Sequence, residues 1–426
     1  MASPSAPLPI RSGKPILVIG GGIAGLTAAL EAAEAGCEVL LVEKAPYVGG
    51  RVARTNLYFP KLCPPDCGLE INFKRLKNNP RIQVLTLAEV ESLRGGPGHF
   101  EVTVKIKPRY VNDLCTACGE CAIACRSERA DDFNCGLSKT KAIYLPYANA
   151  FPAQYVIDRR ACRAGCGVCS YACRYGAVDL AQQEERRTVH VSAVVAATGW
   201  APYDASKIEG LGFGKFPNVV TNVMLERMAA PNGPTGGKIL RPSDGLAPKS
   251  VAFAQCSGSR DENHLPYCSA VCCPASLKHT TYILNQYPNA QVTVFYTDIR
   301  TTGRLENFFS RVVADGRTEL IKARISKVEV DPGTGDLLVA AEDIIHRRKI
   351  VKKVSLLVLA VGMVPQTNGL PAGFVKDQFG FIQNGSTGLV GAGCARWPTD
   401  VSTSVRDATG AALRAFQCAV RSAQDD

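Results

Sequence analysis

Short unbroken runs of apolar residues alternate along this chain with segments that place small or apolar residues at helical spacing. An apolar run covers residues 16–19, alanines follow at helical spacing over residues 24–35, and a second strand pattern covers residues 38–42. Unbroken apolar runs are typical of strands buried in a parallel sheet, whereas a period near 3.6 residues is typical of a helix. The pattern therefore predicts a strand–helix–strand unit at the start of the chain.

Similar patterns recur in later parts of the chain. Further strands are predicted within residues 82–107 and at 188–199, 251–254, 292–300 and 354–362, and a helix is predicted over 305–314. Strands that alternate with helices in this way indicate an α/β fold with parallel sheets. A closing strand, a turn at residues 391–393 and a final helix complete the pattern.

Glycines follow the first predicted strand in the spacing G-x-G-x-x-G, at Gly20, Gly22 and Gly25. In such a unit the first glycine permits a tight turn, the second lets a pyrophosphate approach the backbone, and the third lets helix and strand pack closely. The helix N-terminus adds free N–H groups and a positive dipole end. Glu43, at the end of the second strand, is placed to accept a hydrogen bond from a ribose hydroxyl. A dinucleotide site is therefore predicted, with a glycine-rich turn without ligand as the alternative.

Other positions extend this predicted site. The pair Gly49-Gly50 allows close approach to a nucleotide, and Arg51 can meet a phosphate. The strand end at residues 197–199 is of the kind along which two-domain flavoproteins pass their FAD. Cys394 occupies the turn where such flavoproteins usually carry an aspartate for the ribitol chain, so another group must make that contact. The candidate FAD-binding residues are Gly20, Gly22, Ile23, Ala24, Gly25, Glu43, Lys44, Gly50, Arg51, Ala197, Thr198, Gly199, Gly393, Cys394, Thr403 and Ser404.

Eighteen cysteines are the unusual feature of the composition, and many fall in short-spaced runs. Within residues 108–180 one run reads C-x2-C-x2-C-x3-C and a second reads C-x3-C-x2-C-x3-C. Two such runs are typical of two-cluster bacterial ferredoxins, in which the fourth cysteine of each run serves the other cluster. On that pattern the [4Fe–4S] ligands are Cys115, Cys118, Cys121 and Cys173 for one cluster, and Cys162, Cys166, Cys169 and Cys125 for the other.

Two departures from the ferredoxin pattern leave alternatives open. Arg126 and Arg174 replace the proline that usually follows the last cysteine, and the second run is one residue longer than the first. Such changes can raise a reduction potential or cost a cluster, so one or two clusters are expected here. Zinc is the alternative metal.

A third set of cysteines stands where a second glycine fingerprint is expected. After the strand at 251–254 the chain carries Cys256, and Cys268, Cys272 and Cys273 follow before the next helix. Four thiols at such a strand end predict a further [4Fe–4S] site at the edge of the flavin domain, with inert buried thiols as the alternative. The polar neighbours expected to hydrogen-bond cluster sulfurs or flavin are Arg260, Asp261 and His264.

Together these patterns predict a two-dinucleotide-binding-domain flavoprotein with an inserted, ferredoxin-like α+β domain. The expected divisions are residues 1–107, 181–240 and 366–426 for the FAD-binding domain, 108–180 for the insertion, and 241–365 for the second Rossmann-like domain with a cysteine site. An insertion at a loop keeps the parent core intact, so its deletion is expected to leave a folded, FAD-containing protein.

Charge and hydropathy bear on three questions: nucleic-acid binding, membrane insertion and secretion. The 426 residues include 49 basic and 38 acidic side chains, a net charge of +11, but no aromatic–basic interleaving or nucleic-acid motif, so nucleic-acid binding is not expected. No apolar run is long enough to span a bilayer, and residues 1–14 have no apolar core of a secretory signal. Clustered cysteines without a signal favour metal over disulfides, in a reducing, oxygen-poor cytoplasm.

Five segments resemble one family: IGGGIAGLTAALEAAE, YFPKLCPPDCGLEINFKR, KPRYVNDLCTACGECA, SGSRDENHLPYCSAVCC and AGCARWPTDVSTSVRDATGAAL. The chain resembles the QmoA family of quinone-interacting membrane-bound oxidoreductase complexes, whose members are similar to HdrA, the flavin subunit of heterodisulfide reductase. The resemblance implies FAD, one to three [4Fe–4S] clusters, and electron relay between a membrane quinone pool and adenylylsulfate reductase in sulfur metabolism. It also implies cytoplasmic location with membrane association through partner subunits; a homodimer is an open alternative for the isolated chain.

Two functional classes follow. In the first, the chain is an oxidoreductase subunit that positions redox groups and needs no catalytic acid–base residue. In the second, it is a self-contained NAD(P)H or disulfide oxidoreductase whose active pair is Cys63 and Cys67. The absent second glycine fingerprint counts against NAD(P)H, and the C-x3-C spacing counts against a dithiol cycle. A purely structural scaffold, without bound cofactor, is a third class.

Overall fold

The structure, a computed structural model, describes residues 14–385 and 388–425, with side chains described as far as residue 422. The prediction that residues 1–14 hold no secretory signal therefore lies almost wholly outside the described residues. By the pattern of contacts the chain forms two compact units. The first contains the described residues up to 53, residues 66–200 and those from 365 onward, and the second contains residues 54–65 and 201–364.

The strands, in chain order, are β1 (Ile16–Ile19), β2 (Val39–Glu43), β3 (Ile82–Thr86), β4 (Ala88–Gly96), β5 (His99–Ile106), β6 (Glu128–Ala130), β7 (Lys139–Lys141), β8 (Ile143–Tyr144), β9 (Val156–Ile157), β10 (Glu185–Val191), β11 (Ala193–Ala196), β12 (Trp200–Pro202), β13 (Val219–Thr221), β14 (Ser250–Ser257), β15 (Gln291–Tyr296), β16 (Thr318–Val330), β17 (Leu337–Asp343), β18 (Arg348–Val354), β19 (Leu356–Val361), β20 (Met363–Pro365) and β21 (Leu389–Gly391). The α-helices are α1 (Ile23–Glu34), α2 (Asp66–Asn78), α3 (Glu120–Ala124), α4 (Val168–Ala172), α5 (Asn222–Ala229), α6 (Cys272–Gln286), α7 (Leu305–Ala314) and α8 (Val401–Asp425). Among the described residues, no helix combines the length and the apolar character needed to cross a membrane.

A five-stranded parallel sheet is the centre of the first unit, with the strand order β21-β11-β1-β2-β3. All four residues of β1 are buried, which is the reason that this strand reads as an unbroken apolar run. Helices α1 and α8 pack against each other and against this sheet. The strand–helix–strand unit predicted at the start of the chain is thus present, and the α/β fold class is confirmed.

The other face of this sheet packs against a three-stranded antiparallel sheet with the order β10-β5-β4. Alternate residues of β5, namely Phe100, Val102 and Val104, point into the shared core, where they meet Leu17 and Val194 of the parallel sheet. This period of two is typical of a strand with one buried and one exposed face.

Residues 108–180 contain four short strands and the two short helices α3 and α4, and they pack closely against the rest of the first unit. Val48 donates its N–H to the Phe151 carbonyl (2.9 Å), and the Phe151 ring stacks on Phe73 with centroids 5.7 Å apart. Tyr147 meets Tyr47 edge to face at 5.3 Å. The segment also has a hydrophobic cluster of its own around Val111, Ile143 and Ile157, and the ferredoxin-like insertion stays a prediction.

The second unit is built on a seven-stranded sheet with the order β13-β19-β14-β15-β16-β17-β18. The strands from β13 to β16 run parallel, and β16, β17 and β18 continue as an antiparallel meander. Helix α6 packs against β14, β15 and β19 and against helices α5 and α7. The parallel part is the second Rossmann-like domain that the sequence predicts.

The structure divides the chain differently from the predicted boundary at residue 240. Residues 201–240 contribute β13 and α5 to the second unit, and residues 54–65 also belong to it. The physical reason is a buried carboxylate on α5: Glu226 accepts the N–H groups of Asn56 (2.8 Å) and Leu57 (3.2 Å), and it contacts Lys278 and His279 of α6.

Candidate functional site

In the loop after β1, the backbone at Gly20 lies very close to the backbone at Gly25 and at Ala197. A Cβ atom at Gly25 would lie 1.7 Å from the Gly20 carbonyl oxygen, and one at Gly20 would lie 2.4 Å from the Ala197 carbonyl oxygen. Gly20 also has φ of +103°, a value that disfavours any other residue. The glycines therefore serve the tight turn and the close packing of α1 that their spacing predicts.

Gly22 differs from these two glycines because no part of the described chain occupies the space beside it. A Cβ atom there would meet no atom nearer than the Gly50 Cα at 4.0 Å. Gly22 is the N-cap residue of α1, and no side chain caps the helix; Ile23 and Ala24 open its first turn. Space in front of uncapped N–H groups at the start of a 12-residue helix fits the pyrophosphate of a dinucleotide.

The Glu43 carboxylate is fixed by the backbone at the end of β2. Oε2 accepts the Gly21 N–H at 2.6 Å, and Oε1 accepts the Ala45 N–H at 2.7 Å. Burial raises the pKa of Glu43, although both N–H groups act against that shift. Each oxygen keeps further acceptor capacity for a ribose hydroxyl. Lys44, the next residue, is exposed.

Thr198 supplies a second sign of a ligand in this unit. Its Oγ1 atom is buried and has no hydrogen-bond partner in the described part of the chain. The residue follows β11 and the buried Ala197, and Gly199 turns away with φ of +69°. Buried hydroxyls are normally hydrogen-bonded, so an orphaned one at the carboxyl end of a parallel sheet fits contact with a bound nucleotide.

The turn after β21 is fixed by a residue that sequence reasoning missed. Asp407 of α8 accepts the Gly393 N–H at 2.8 Å and pairs with Arg396 at 2.5 Å. The Cys394 thiol lies 3.4 Å from the Thr399 carbonyl oxygen and 3.8 Å from the Ser404 hydroxyl. Burial raises the pKa of Cys394, so a neutral thiol occupies the expected aspartate position. No short-range motif marks Asp407 in the sequence.

Three further candidates, Arg51, Thr403 and Ser404, are held by other parts of the protein. Arg51 Nε donates to the Trp200 carbonyl at 2.6 Å, and its guanidinium lies 4.4 Å from the centre of the Trp200 ring. Thr403 donates its N–H to Asp400 Oδ1 at 2.7 Å at the start of α8, and Ser404 beside it is buried. The phosphate contact of Arg51 and the flavin contact of Thr403 and Ser404 stay predictions.

The cysteines of residues 108–180 fall into two groups, each with three members from one run and one from the other. The first cysteine group, Cys115, Cys118, Cys121 and Cys173, lines one cavity together with Tyr155 and Val178. Burial and the three neighbouring thiols raise the pKa of Cys121 to about 12. The second cysteine group is Cys125, Cys162, Cys166 and Cys169; burial, with a smaller contribution from neighbouring thiols of the group, raises the pKa of Cys162 and of Cys169.

The third cysteine group contains Cys256 near the end of β14, Cys268 in the following loop, and Cys272 and Cys273 at the start of α6. Burial and the other three thiols raise the pKa of Cys272, and burial with the thiols of Cys256 and Cys268 raises that of Cys273. The backbone around this group is strained, because three non-glycine residues have positive φ: Cys256, Arg260 and Ala270. Crowded, buried thiols resist deprotonation, and binding of a cationic iron–sulfur core would reverse that cost.

In each of the three cysteine groups, some thiols lie close enough for the charge of one to affect the ionisation of another. Within the described residues, no three His, Cys, Asp or Glu side chains are arranged to bind a single metal ion. The donor set, four thiols without histidine or carboxylate, fits [4Fe–4S] clusters, with zinc still the alternative. Cys63 and Cys67 are exposed; Cys67 lies in the first turn of α2, and their redox role stays a prediction.

The chain is similar in sequence to a known family model and to known proteins. Residues 18–85 match a family model described as an NAD(P)-binding Rossmann-like domain. The chain is 38% identical over 419 residues to HdrA, the iron–sulfur subunit of CoB–CoM heterodisulfide reductase, from Methanocaldococcus jannaschii, a match covering 94% of this chain and 63% of that protein. It is 37% identical over 416 residues to the corresponding subunit of the H2:CoB–CoM heterodisulfide,ferredoxin reductase of Methanothermobacter marburgensis, with the same coverage. The chain therefore spans less than two thirds of these relatives.

Solved structures confirm the fold. A thioredoxin reductase from Lactococcus lactis superposes with a TM-score of 0.55 at 12% identity, covering 96% of this chain and 99% of that one. A thioredoxin reductase from T. acidophilum gives 0.54 at 14% identity, covering 96% and 100%. At such low identity the likeness shows the two-domain Rossmann-like fold and no more.

Proposed function

Because the chain is similar over 94% of its length to the iron–sulfur HdrA subunits of heterodisulfide reductases, we propose that it is the flavin- and iron–sulfur-containing electron-transfer subunit of an oxidoreductase complex. The observation that carries this proposal is the presence of three sets of four cysteines within a dinucleotide-binding fold, one of which lines a single cavity. A structural scaffold has no use for four thiols around one cavity.

The chain's own residues supply binding and orientation. FAD exchanges electrons in pairs or singly, and iron–sulfur clusters exchange them singly. Gly20 and Gly22 present the α1 N-terminus to the pyrophosphate, Glu43 accepts from the ribose, and the Thr198 hydroxyl meets the nucleotide. The three cysteine groups hold the clusters.

The end of β14 argues against a nicotinamide cofactor in the second unit. In a dinucleotide-binding half the phosphates lie on a glycine-rich turn after the first strand, and an acid after the second strand binds the ribose. Here Cys256 is the second-last residue of the first strand, β14, and Asp298, after β15, pairs with Arg260 at 2.8 Å. Electrons therefore enter and leave through partner proteins.

We further propose that those partners connect a membrane quinone pool with adenylylsulfate reductase, with the chain bound at the membrane surface through other members of a quinone-interacting complex. Support comes from the five sequence segments quoted above. The relatives' names give CoB–CoM heterodisulfide and ferredoxin as reactants of those proteins, which makes a heterodisulfide the competing electron acceptor.

An anaerobic reduction experiment tests both levels of the proposal. The purified protein, after determination of its FAD and iron content, is mixed with NADH or with reduced adenylylsulfate reductase, and bleaching is followed in the visible spectrum. We expect rapid bleaching by the reductase and none by NADH. Bleaching by NADH contradicts the electron-transfer role. Slow exchange with the reductase, beside fast reoxidation by CoB–CoM heterodisulfide of protein first reduced with dithionite, contradicts the quinone-linked role alone.

A further inference from the structure

We infer that the end of the β17–β18 hairpin, residues 344–349, contacts an anionic lipid bilayer directly: its two isoleucines enter the bilayer interface, and its three cations bind phosphate headgroups. These residues are called the hairpin tip below. The inference goes beyond the proposed function, in which other subunits make the membrane contact. It is also independent of the cysteine groups, because it concerns only the surface of the second unit.

Two adjacent isoleucines of the hairpin tip face solvent. Ile344 is 51% exposed and Ile345 is 62% exposed. By contrast Ile350, further along β18, packs against the core of the second unit. Single exposed apolar residues are common on protein surfaces, but contiguous exposed apolar surface marks a contact with a protein, a ligand or a membrane.

Polar contacts hold the shape of the hairpin tip. The buried Asp343 carboxylate accepts the N–H groups of Ile345 and His346 through Oδ1, both at 3.1 Å, and its Oδ2 lies 2.7 Å from His346 Nδ1. Ile344 donates its N–H to the Lys322 carbonyl at 2.9 Å. The two isoleucine side chains are therefore not required for the fold of the turn.

The cations of the hairpin tip are available to a ligand. Arg347, Arg348 and Lys349 are exposed, and none of them forms an ion pair with a described residue. Glu342 lies opposite Lys349 in the sheet, but these two side chains form no ion pair within the described chain either. Arg347 has φ of +51°, a value that favours glycine, so a cation stands where a smaller residue is usual. The tip thus carries unneutralised positive charge beside apolar surface.

This combination fits an anionic bilayer better than a protein partner. Phosphate headgroups attract each basic side chain near the surface, and the bilayer interface accepts apolar side chains without a shaped pocket. Arginine also matches phosphate through two hydrogen bonds. A stable protein interface needs about 800 Å² from each partner and is usually poor in lysine. A tip of two isoleucines and three cations is too small and too basic for that.

The test measures cosedimentation of the complete purified chain with vesicles. One set of vesicles contains phosphatidylcholine and phosphatidylglycerol in equal parts, and the other contains phosphatidylcholine alone. The apolar variant is Ile345→Ser, and Leu246→Ser is its matched control because Leu246 is also 62% exposed. In Ile345→Trp, a blue shift of the added tryptophan emission reports entry of the tip into the interface.

The charge variant is Arg348→Gln together with Lys349→Gln. Its control is Lys238→Gln together with Lys249→Gln, which removes two exposed cations that form no ion pair in the described chain. Lys249 accepts an N–H from the first residue of β15, whereas the tip is bonded to the residue of β16 that lies opposite the last residue of β15. Lys249 therefore lies at the other end of these strands.

We expect binding to the anionic vesicles only, with wild-type affinity in both controls. The charge variant should bind about 25-fold more weakly, about fivefold for each cation, and Ile345→Ser about tenfold more weakly. High salt should weaken binding in the wild type through screening.

Three results overturn the inference: no binding of the wild type, equal affinity of the wild type and the tip variants, or an unshifted emission in Ile345→Trp. A dimer without vesicles that dissociates in the tip variants also overturns it, since the tip would then join two copies of the chain. None of these results bears on the proposed function, because none measures electron exchange.

Discussion

Glu226 and His279 face each other in the interior of the second unit, with Oε2 and Nε2 2.6 Å apart. Lys278 reaches the other carboxylate oxygen at 2.8 Å, and all three side chains are almost wholly buried. The same carboxylate holds residues 56 and 57 by their N–H groups. One buried charge thus ties a segment that precedes α2 to helices α5 and α6.

Glu226→Gln is expected to destabilise the second unit strongly, because it leaves the Lys278 ammonium buried without a counter-charge. Breaking a buried pair in this way costs about 3–5 kcal/mol. Glu319→Gln is the matched control: Glu319 pairs with Lys352 at 2.8 Å on the surface, and its loss should cost no more than about 1 kcal/mol. Chemical denaturation of both variants measures the difference; equal effects would contradict the prediction.

The same group should make stability fall with acid. Although burial raises it, Lys278 and His279 lower the pKa of Glu226 well below its usual range, and burial lowers the pKa of His279. Both shifts mean that the unfolded chain binds more protons, so their stabilisation is present above an unfolded pKa of about 6.5 for histidine and about 4.3 for glutamate and is lost below these values. Between about pH 5 and pH 3, where the Glu226 carboxylate contributes, the unfolding free energy should drop more steeply in the wild type than in Glu226→Gln. Parallel curves would show that the pair is not the cause.

Thr198→Val should weaken FAD binding without unfolding the protein, because it removes the buried hydroxyl that has no partner in the described chain. A lost hydrogen bond of ordinary strength corresponds to a Kd about two- to tenfold higher. Thr409→Val, which removes an exposed hydroxyl on α8, serves as the control. Fluorescence titration of the apoprotein with FAD gives both values. Unchanged affinity in Thr198→Val would place the nucleotide elsewhere.

Cys272→Ser and Cys121→Ser should each lower the iron content by about one four-iron cluster, and different paramagnetic signals should disappear in the two variants. Cys37→Ser provides the control, since Cys37 is a buried thiol outside the three groups. Iron analysis and low-temperature spectra are the measurements. Loss of the same signal in both serine variants would contradict the assignment of Cys272 and Cys121 to separate clusters.

Deletion of residues 110–178, bridged by a short Gly-Ser linker, should cost FAD as well as electron exchange. Without this segment Tyr47 and Phe73 lose the rings that cover them, and Val48 loses its partner beside Gly49 and Gly50. Absorbance at the flavin bands of the purified deletion variant tests this. A yellow, stably folded product would favour the independent insertion that the sequence alone predicts.

Features that depend on short spacings could be predicted from the sequence. The glycine loop, the first parallel strands and the cysteine groups each follow from residues close in the chain or from a repeated pattern. Contacts such as Glu226 with Lys278, or Asp407 with Gly393, join residues 52 and 14 positions apart that have no signature of their own. The meander of β16, β17 and β18 was also missed, since its polar outer faces resemble loops in a mixed sequence.

In the proposed ligand sets, one cysteine is exchanged between the two runs of the inserted segment, so each cluster would depend on both runs. Cys173 completes the group begun by Cys115, and Cys125 completes the group that contains Cys162. Neither run could then complete a cluster alone during synthesis, and the first would stay unmetallated until the ribosome has delivered residue 169 for one set and residue 173 for the other. A cell that makes this protein would have to protect the four reduced thiols of the first run over that interval, so delivery of iron and sulfide would be a co-translational problem as much as a chemical one.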